Sequence, residues 1–137
     1  MAKKQTGKTS VALQDSLAKL EVTKVGIADL SNVPSERLAA QAKKLLPEAR
    51  SVVVLEIEIY PEIVELTKPE RVAGAASLND LLDRHMDFLN SRATKAAHDV
   101  ARASHELGFK ALPLPAFGCP GDARFLNAVL SYKHAAE

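Results

Sequence analysis

Tryptophan is absent from the 137-residue chain, which has only two tyrosines and four phenylalanines. With aromatics at 4%, there is no run of ring faces on which single-stranded bases could stack. A formal net charge of +1 removes the basic field expected of a nucleic-acid binder. The single cysteine, Cys119, excludes an intrachain disulfide. It also excludes a four-thiolate zinc or iron–sulfur site held by this chain alone. No apolar run reaches the length of a membrane span, and the N-terminus lacks the apolar core of a signal peptide. The expectation is a cytoplasmic protein with neither nucleic acid nor membrane as partner.

What is present is a hydrophobic fraction of 47%, much of it alanine, with leucine and valine supplying the larger volumes. Such a composition suits close, alanine-lined helix contacts. The length fits one domain with a single core. Residues 1–9, MAKKQTGKT, read as a disordered basic tail and 10–137 as the α/β domain. Gly7-Lys8-Thr9 is the end of a phosphate-loop pattern without its beginning, since Ala2 stands where the first glycine is required.

Ser10 is placed to cap a helix to about Leu20, with Val11, Leu13, Leu17 and Leu20 on one side. Thr23 to Leu30 alternates as a short strand, and Ser31-Asn32 turns the chain. Ser35 is placed to cap a second helix through Leu46, facing inward with Leu38, Ala39, Ala42 and Leu45, and Pro47 stops it. Ser51 to Tyr60, SVVVLEIEIY, is the strongest strand pattern. Its continuous apolar start predicts a central strand buried on both faces, and its alternating end predicts one wet face. Glu62 to Leu66 suits a short helical turn. A stripe from Ala76 to Leu107 has a period near 3.6 and predicts one long helix stopped by Gly108. At 1.5 Å per residue that helix is about 48 Å long, more than such a domain covers, so either Asn90-Ser91 bends it or a second copy packs on its overhang. Phe109 to Pro115 reads as a third strand, at an edge because Pro113 and Pro115 cannot donate to a ladder. The predicted fold is α/β (α+β), with a three-stranded mixed sheet, packed helices and one long Ala-rich helix. The long helix and the edge strand together predict a homodimer.

Few residues offer chemistry. His98 and His105 are seven apart, two helical turns or about 10.5 Å, too far to share an ion, and His85 faces elsewhere, so no metal site is expected. Cys119, between Gly118 and Pro120, precedes a predicted helix whose dipole could lower a thiol pKa; a chemically idle cysteine is the plainer reading. Gly118 and Gly121 bracket a loop whose backbone amides could bind a phosphate, although neither phosphate-loop spacing is present and a simple turn explains them equally. Asp122 to Glu137, DARFLNAVLSYKHAAE, has helical spacing with no stop signal after it. The sequence therefore suggests a domain incomplete at its C-terminus. On this helix Lys133 and His134 would chiefly complement the dipole.

Three segments carry a family resemblance. Ser131-Tyr132-Lys133-His134-Ala135-Ala136 is similar to the S-x-K-H-A-A stretch of iron–sulfur proteins related to epoxyqueuosine reductase and the reductive dehalogenases. Leu46 to Leu55, LPEARSVVVL, resembles that group's entry into a strand, and Phe109 to Ala116, FKALPLPA, resembles a later one. The order and spacing agree over about residues 20 to 137. The resemblance implies a partial nitroreductase-like domain that binds a corrinoid, with Ser131, Lys133 and His134 lining the cofactor cleft beside Gly118 and Gly121. It implies an electron-transfer partner, because this chain has no cluster of its own. The group's glycine-rich continuation and cysteine runs have no counterpart here. Its catalytic acid is an aspartate before the last helix; Asp122 is the only acid in that loop, but its spacing departs from the pattern and no catalytic role carries over. FMN is the alternative cofactor, since nitroreductase-like folds commonly hold it between subunits. A homodimeric interaction domain without catalysis is the alternative function.

Overall fold

The computed structural model describes residues 3–32, 36–66, 68, 75–116, 121–122 and 127–128. It begins with helix α1, Lys3–Ala18, which starts seven residues ahead of the expected cap at Ser10. Between Lys3 and Ser10 only Gly7 strongly opposes a helix, at about 1 kcal/mol relative to alanine, and the helix carries through it.

Strand β1, Lys24–Asp29, pairs antiparallel with β2, Ser51–Glu56, from Lys24 opposite Glu56 to Asp29 opposite Ser51 without a bulge. Thr23 N–H to Glu56 O at 2.8 Å and Leu30 N–H to Arg50 O at 2.9 Å extend the pairing at both ends. Helix α2, Glu36–Leu45, connects the strands in sequence and follows the helix dipole, with Glu36 in its first turn and Lys43 and Lys44 in its last. Its apolar side supplies Leu38 and Ala42, which with Leu30 form the buried core; Ala39, Leu45, Ala49, Val52 and Leu114 pack around them.

Helix α3, Pro61–Leu66, and helix α4, Ala75–Glu106, complete the helical part, and both α1 and α3 pack on α4, as does β2. Leu17 of α1 and Leu89, Ala96 and Ala101 of α4 are buried, so small residues let the helices approach closely. Neither Asn90 nor Ser91 interrupts α4, because neither removes a backbone donor. Gly108 ends it with φ +84°. Gly108 N–H bonds to His105 O at 2.9 Å and Phe109 N–H to Ser104 O at 3.0 Å, the paired bonds of a glycine C-cap in the left-handed conformation.

Three expectations need correction. Among the described residues the sheet of β1 and β2 has two strands, and no third strand joins it. Phe109 to Pro115 forms no ladder; Pro113 and Pro115 lack the amides a ladder needs, and the segment packs through Leu114 instead. The second strand stops at Glu56 rather than Tyr60, and its inner residues are half-buried, because β1 is its one described neighbour. Where residues of the expected Asp122–Glu137 helix are described they are extended instead: β3, Gly121–Asp122, pairs antiparallel with β4, Asn127–Ala128, and residues 123–126 and 129–137 lie outside the described residues. The glycine and the Pro120 before it favour a turn and extended backbone over a first helical turn. What holds is a mixed α/β chain. Among the described residues no helix is long and apolar enough to cross a membrane.

Candidate functional site

The residues assigned to a cofactor cleft by resemblance are only partly visible. Gly118, Ser131, Lys133 and His134 lie outside the described residues, as does Cys119. Gly121 stands in β3 opposite Ala128. His98 is exposed on α4, and His105 lies at its end with Nε2 3.0 Å from Ala111 O and 3.3 Å from Ala111 N. That ring fastens the turn after the helix to the helix itself. No group of three or more His, Cys, Asp or Glu side chains stands ready for a metal among the described residues.

Chemistry-bearing side chains gather elsewhere, where α4 meets the loop before β1 and the segment after β2. Tyr60 precedes Pro61, whose fixed φ suits the first position of a helix, and the Tyr60 carbonyl accepts from Ile63 N–H at 3.1 Å. The Tyr60 ring lies against α4, where it stacks on His85 with centroids 5.1 Å apart and planes at 29°. Phe88, Leu89 and Arg92 follow on the same side of α4, one and two turns on. The Arg92 guanidinium carbon sits 5.7 Å from the Phe88 ring centre. Its Nη2 donates to Glu21 O at 2.8 Å, and the Glu21 carboxylate is 3.6 Å away. Glu58 N–H donates to Thr23 Oγ1 at 2.9 Å, which fixes the floor.

Glu21, Val22, Thr23, Ile57, Glu58, Tyr60, Leu89 and Arg92 enclose a cleft of ≈ 330 Å³. Two buried atoms beside it, His85 Nε2 and Arg92 Nε, have no hydrogen-bond partner among the described residues. Unpaired buried nitrogens cost stability, so their presence marks the place where the sequence departs from pure packing. The arrangement combines ring faces, one cation and two rim carboxylates. Its volume is at the small end of ligand pockets. A corrin ring with its nucleotide tail exceeds it, so the described cleft does not fit a corrinoid. Sequence reasoning treated His85 as bland and passed over Tyr60 and Arg92. The available signal was the i, i+3, i+7 spacing of His85, Phe88 and Arg92, with Tyr60 fixed just before a proline.

No protein-family model matches the chain, and no curated protein or solved structure matches it either.

Proposed function

We propose that the chain is a domain of the kind that forms the N-terminal part of iron–sulfur proteins related to epoxyqueuosine reductase. In this reading a corrinoid would contact the 118–134 stretch, which carries Gly118, Gly121, Ser131, Lys133 and His134, and not the small Tyr60–Arg92 cleft. Electrons would come from a partner, since one cysteine cannot hold a cluster. One observation supports the reading. Two of the three resembling segments, 46–55 and 109–116, are distant in sequence yet meet: Lys110 Nζ lies 2.7 Å from Glu48 Oε2, and Leu114 and Val52 pack against the same buried core. Ala116 N–H then donates to Thr94 Oγ1 at 3.1 Å, which ties the end of the third segment to α4. Titration with cob(II)alamin tests the proposal. The expected outcome is a spectral change with Kd on the order of 10 μM or weaker, roughly −7 kcal/mol or less favourable, diminished by Lys133→Ala or His134→Ala. No change at millimolar corrinoid with folded protein overturns it, and binding of FMN instead replaces the cofactor.

A second reading, a homodimeric interaction domain, is favoured by the apolar side chains left open on α3 and α4. Val64, Leu81 and Phe88 are 41%, 42% and 58% exposed, respectively.

A further inference from the structure

The solvent side of α4 is built with a two-fold pattern. Asp80, Arg84, Asp87, Ser91, Lys95, His98 and Arg102 are all exposed. Their spacings are 4, 3, 4, 4, 3 and 4, which average close to the helical repeat and keep them on one straight face. The spacing reads the same in both directions from Ser91, and Ser91 is within a residue of the midpoint of Ala75–Glu106. Charge inverts across that midpoint. Reversal exchanges Asp80 with Arg102 and Asp87 with Lys95. Arg84 exchanges with His98, whose neutral imidazole can accept a guanidinium hydrogen bond.

We infer that α4 pairs antiparallel with α4 of a second copy of this chain, with the two-fold axis at Ser91. This inference rests on the interaction-domain reading and names its surface. In that register each Asp87 stands level with Lys95 of the other copy, and each Asp80 with Arg102. The serine at the axis is small enough for close approach. Asp87, Asn90, Ser91, Thr94, Lys95 and His98 line an open, shallow depression along this face. Leu81 and Phe88 border the strip and lose contact with water when it is covered.

Present pairings do not compete strongly. Asp80 holds Arg84 at 2.9 Å, and Asp99 takes Lys95 at 2.7 Å and Arg102 at 3.1 Å. All lie within one helix, where exposed pairs contribute little. Cross-axis pairs therefore set orientation and register more than affinity. A single helix face, about 48 Å long and roughly 10 Å wide, offers less than the ~800 Å² per partner of a stable interface. A weak, reversible dimer follows, with Kd on the order of 10 μM, loosened by salt because the pairs are exposed.

Sedimentation of the full chain at roughly 100 μM and low salt should show a dimer. Lys95→Asp sets like charges against each other at Asp87 and should weaken association at least about tenfold, as should Asp87→Lys. The double reversal restores the pair and should return Kd to within about threefold of the original. In a Cys119→Ser background, Ser91→Cys should oxidise to a covalent dimer at the axis, whereas Asp83→Cys, off the face, should not. Circular dichroism checks that each variant keeps its helices. A monomer throughout overturns both this inference and the interaction-domain reading. A dimer indifferent to charge reversal, with no crosslink through Ser91→Cys, overturns the α4 pairing alone.

Discussion

Two regions of the molecule solve the burial problem differently. Around α2, Leu30, Leu38 and Ala42 are 8%, 2% and 5% exposed, and an unbroken strand pair lies beside them. Where α3 and α4 meet the end of β2, large side chains remain open, with Tyr60 60% and Phe88 58% exposed, and two nitrogens are buried without partners among the described residues. Apolar contact is non-directional and only needs area. A histidine and an arginine need partners of the right kind. The first region is thus arranged for stability. The second keeps groups that stability alone does not favour.

The largest expected effect lies in the first region. Leu38→Ala removes the most buried apolar side chain there, and neighbouring Ala39 and Ala42 are too small to refill the space. A loss of about 2–5 kcal/mol follows, a large fraction of a small domain's stability. Leu81→Ala, at a site 42% exposed, should cost well under about 1 kcal/mol. Urea unfolding of both variants measures the contrast. Equal costs at the two positions would mean that the α2 core does not hold the domain together.

The second region should respond in the opposite sense. His85→Phe keeps an aromatic ring against Tyr60 and removes the unpaired nitrogen. Replacing an unsatisfied polar group by an apolar one of similar shape is neutral or stabilising, so the unfolding free energy should stay or rise, by up to about 1 kcal/mol. A clear loss of stability would show that Nε2 has a partner and that the region is ordinary packing.

How much of this was legible in the sequence follows the same division. Leu38, Ala42 and Leu45 recur at helical spacing, and Ser51 to Leu55 is a strand by composition, so α2, β1 and β2 could be read locally. The long α4 and its Gly108 stop were equally plain. The third strand failed because Pro113 and Pro115, read in sequence as the mark of an edge, leave Phe109–Pro115 too few amides for a ladder among the described residues. The start of α1 at Lys3 was missed because a weak polar helix has no apolar stripe to announce it. The Tyr60–His85–Arg92 cluster was legible only in part: the spacing of His85, Phe88 and Arg92 puts them on one helix face, but nothing local shows what meets that face. It depends on Glu21, Tyr60 and Arg92 meeting across long stretches of chain, and no periodicity encodes a meeting of that kind.

The smallest expected effect returns to the edge of the first region, at Asp29. One carboxylate oxygen accepts from Ser31 N–H at 2.9 Å and Ser31 Oγ at 2.7 Å, and the other lies 3.4 Å from Asn32 Nδ2. These bonds close the turn that leads from β1 toward α2. The backbone bond from Ser31 first, then its hydroxyl, holds the Asp29 carboxyl below the usual aspartate range, with slight desolvation opposing and Asn32 assisting. A carboxyl whose pKa is lower folded than unfolded binds fewer protons in the folded state. Its contribution is therefore complete above the unfolded value, about pH 4, and fades as pH falls through the folded one. Wild-type protein should hold a small advantage over Asp29→Ala at pH 6 that shrinks toward pH 2.5, followed by urea midpoints at each pH. Carboxyl NMR of Asp29 should titrate below about 3.9, and Ser31→Ala should move that midpoint upward. An advantage that grows on acidification would reverse the sign and remove the turn as its cause.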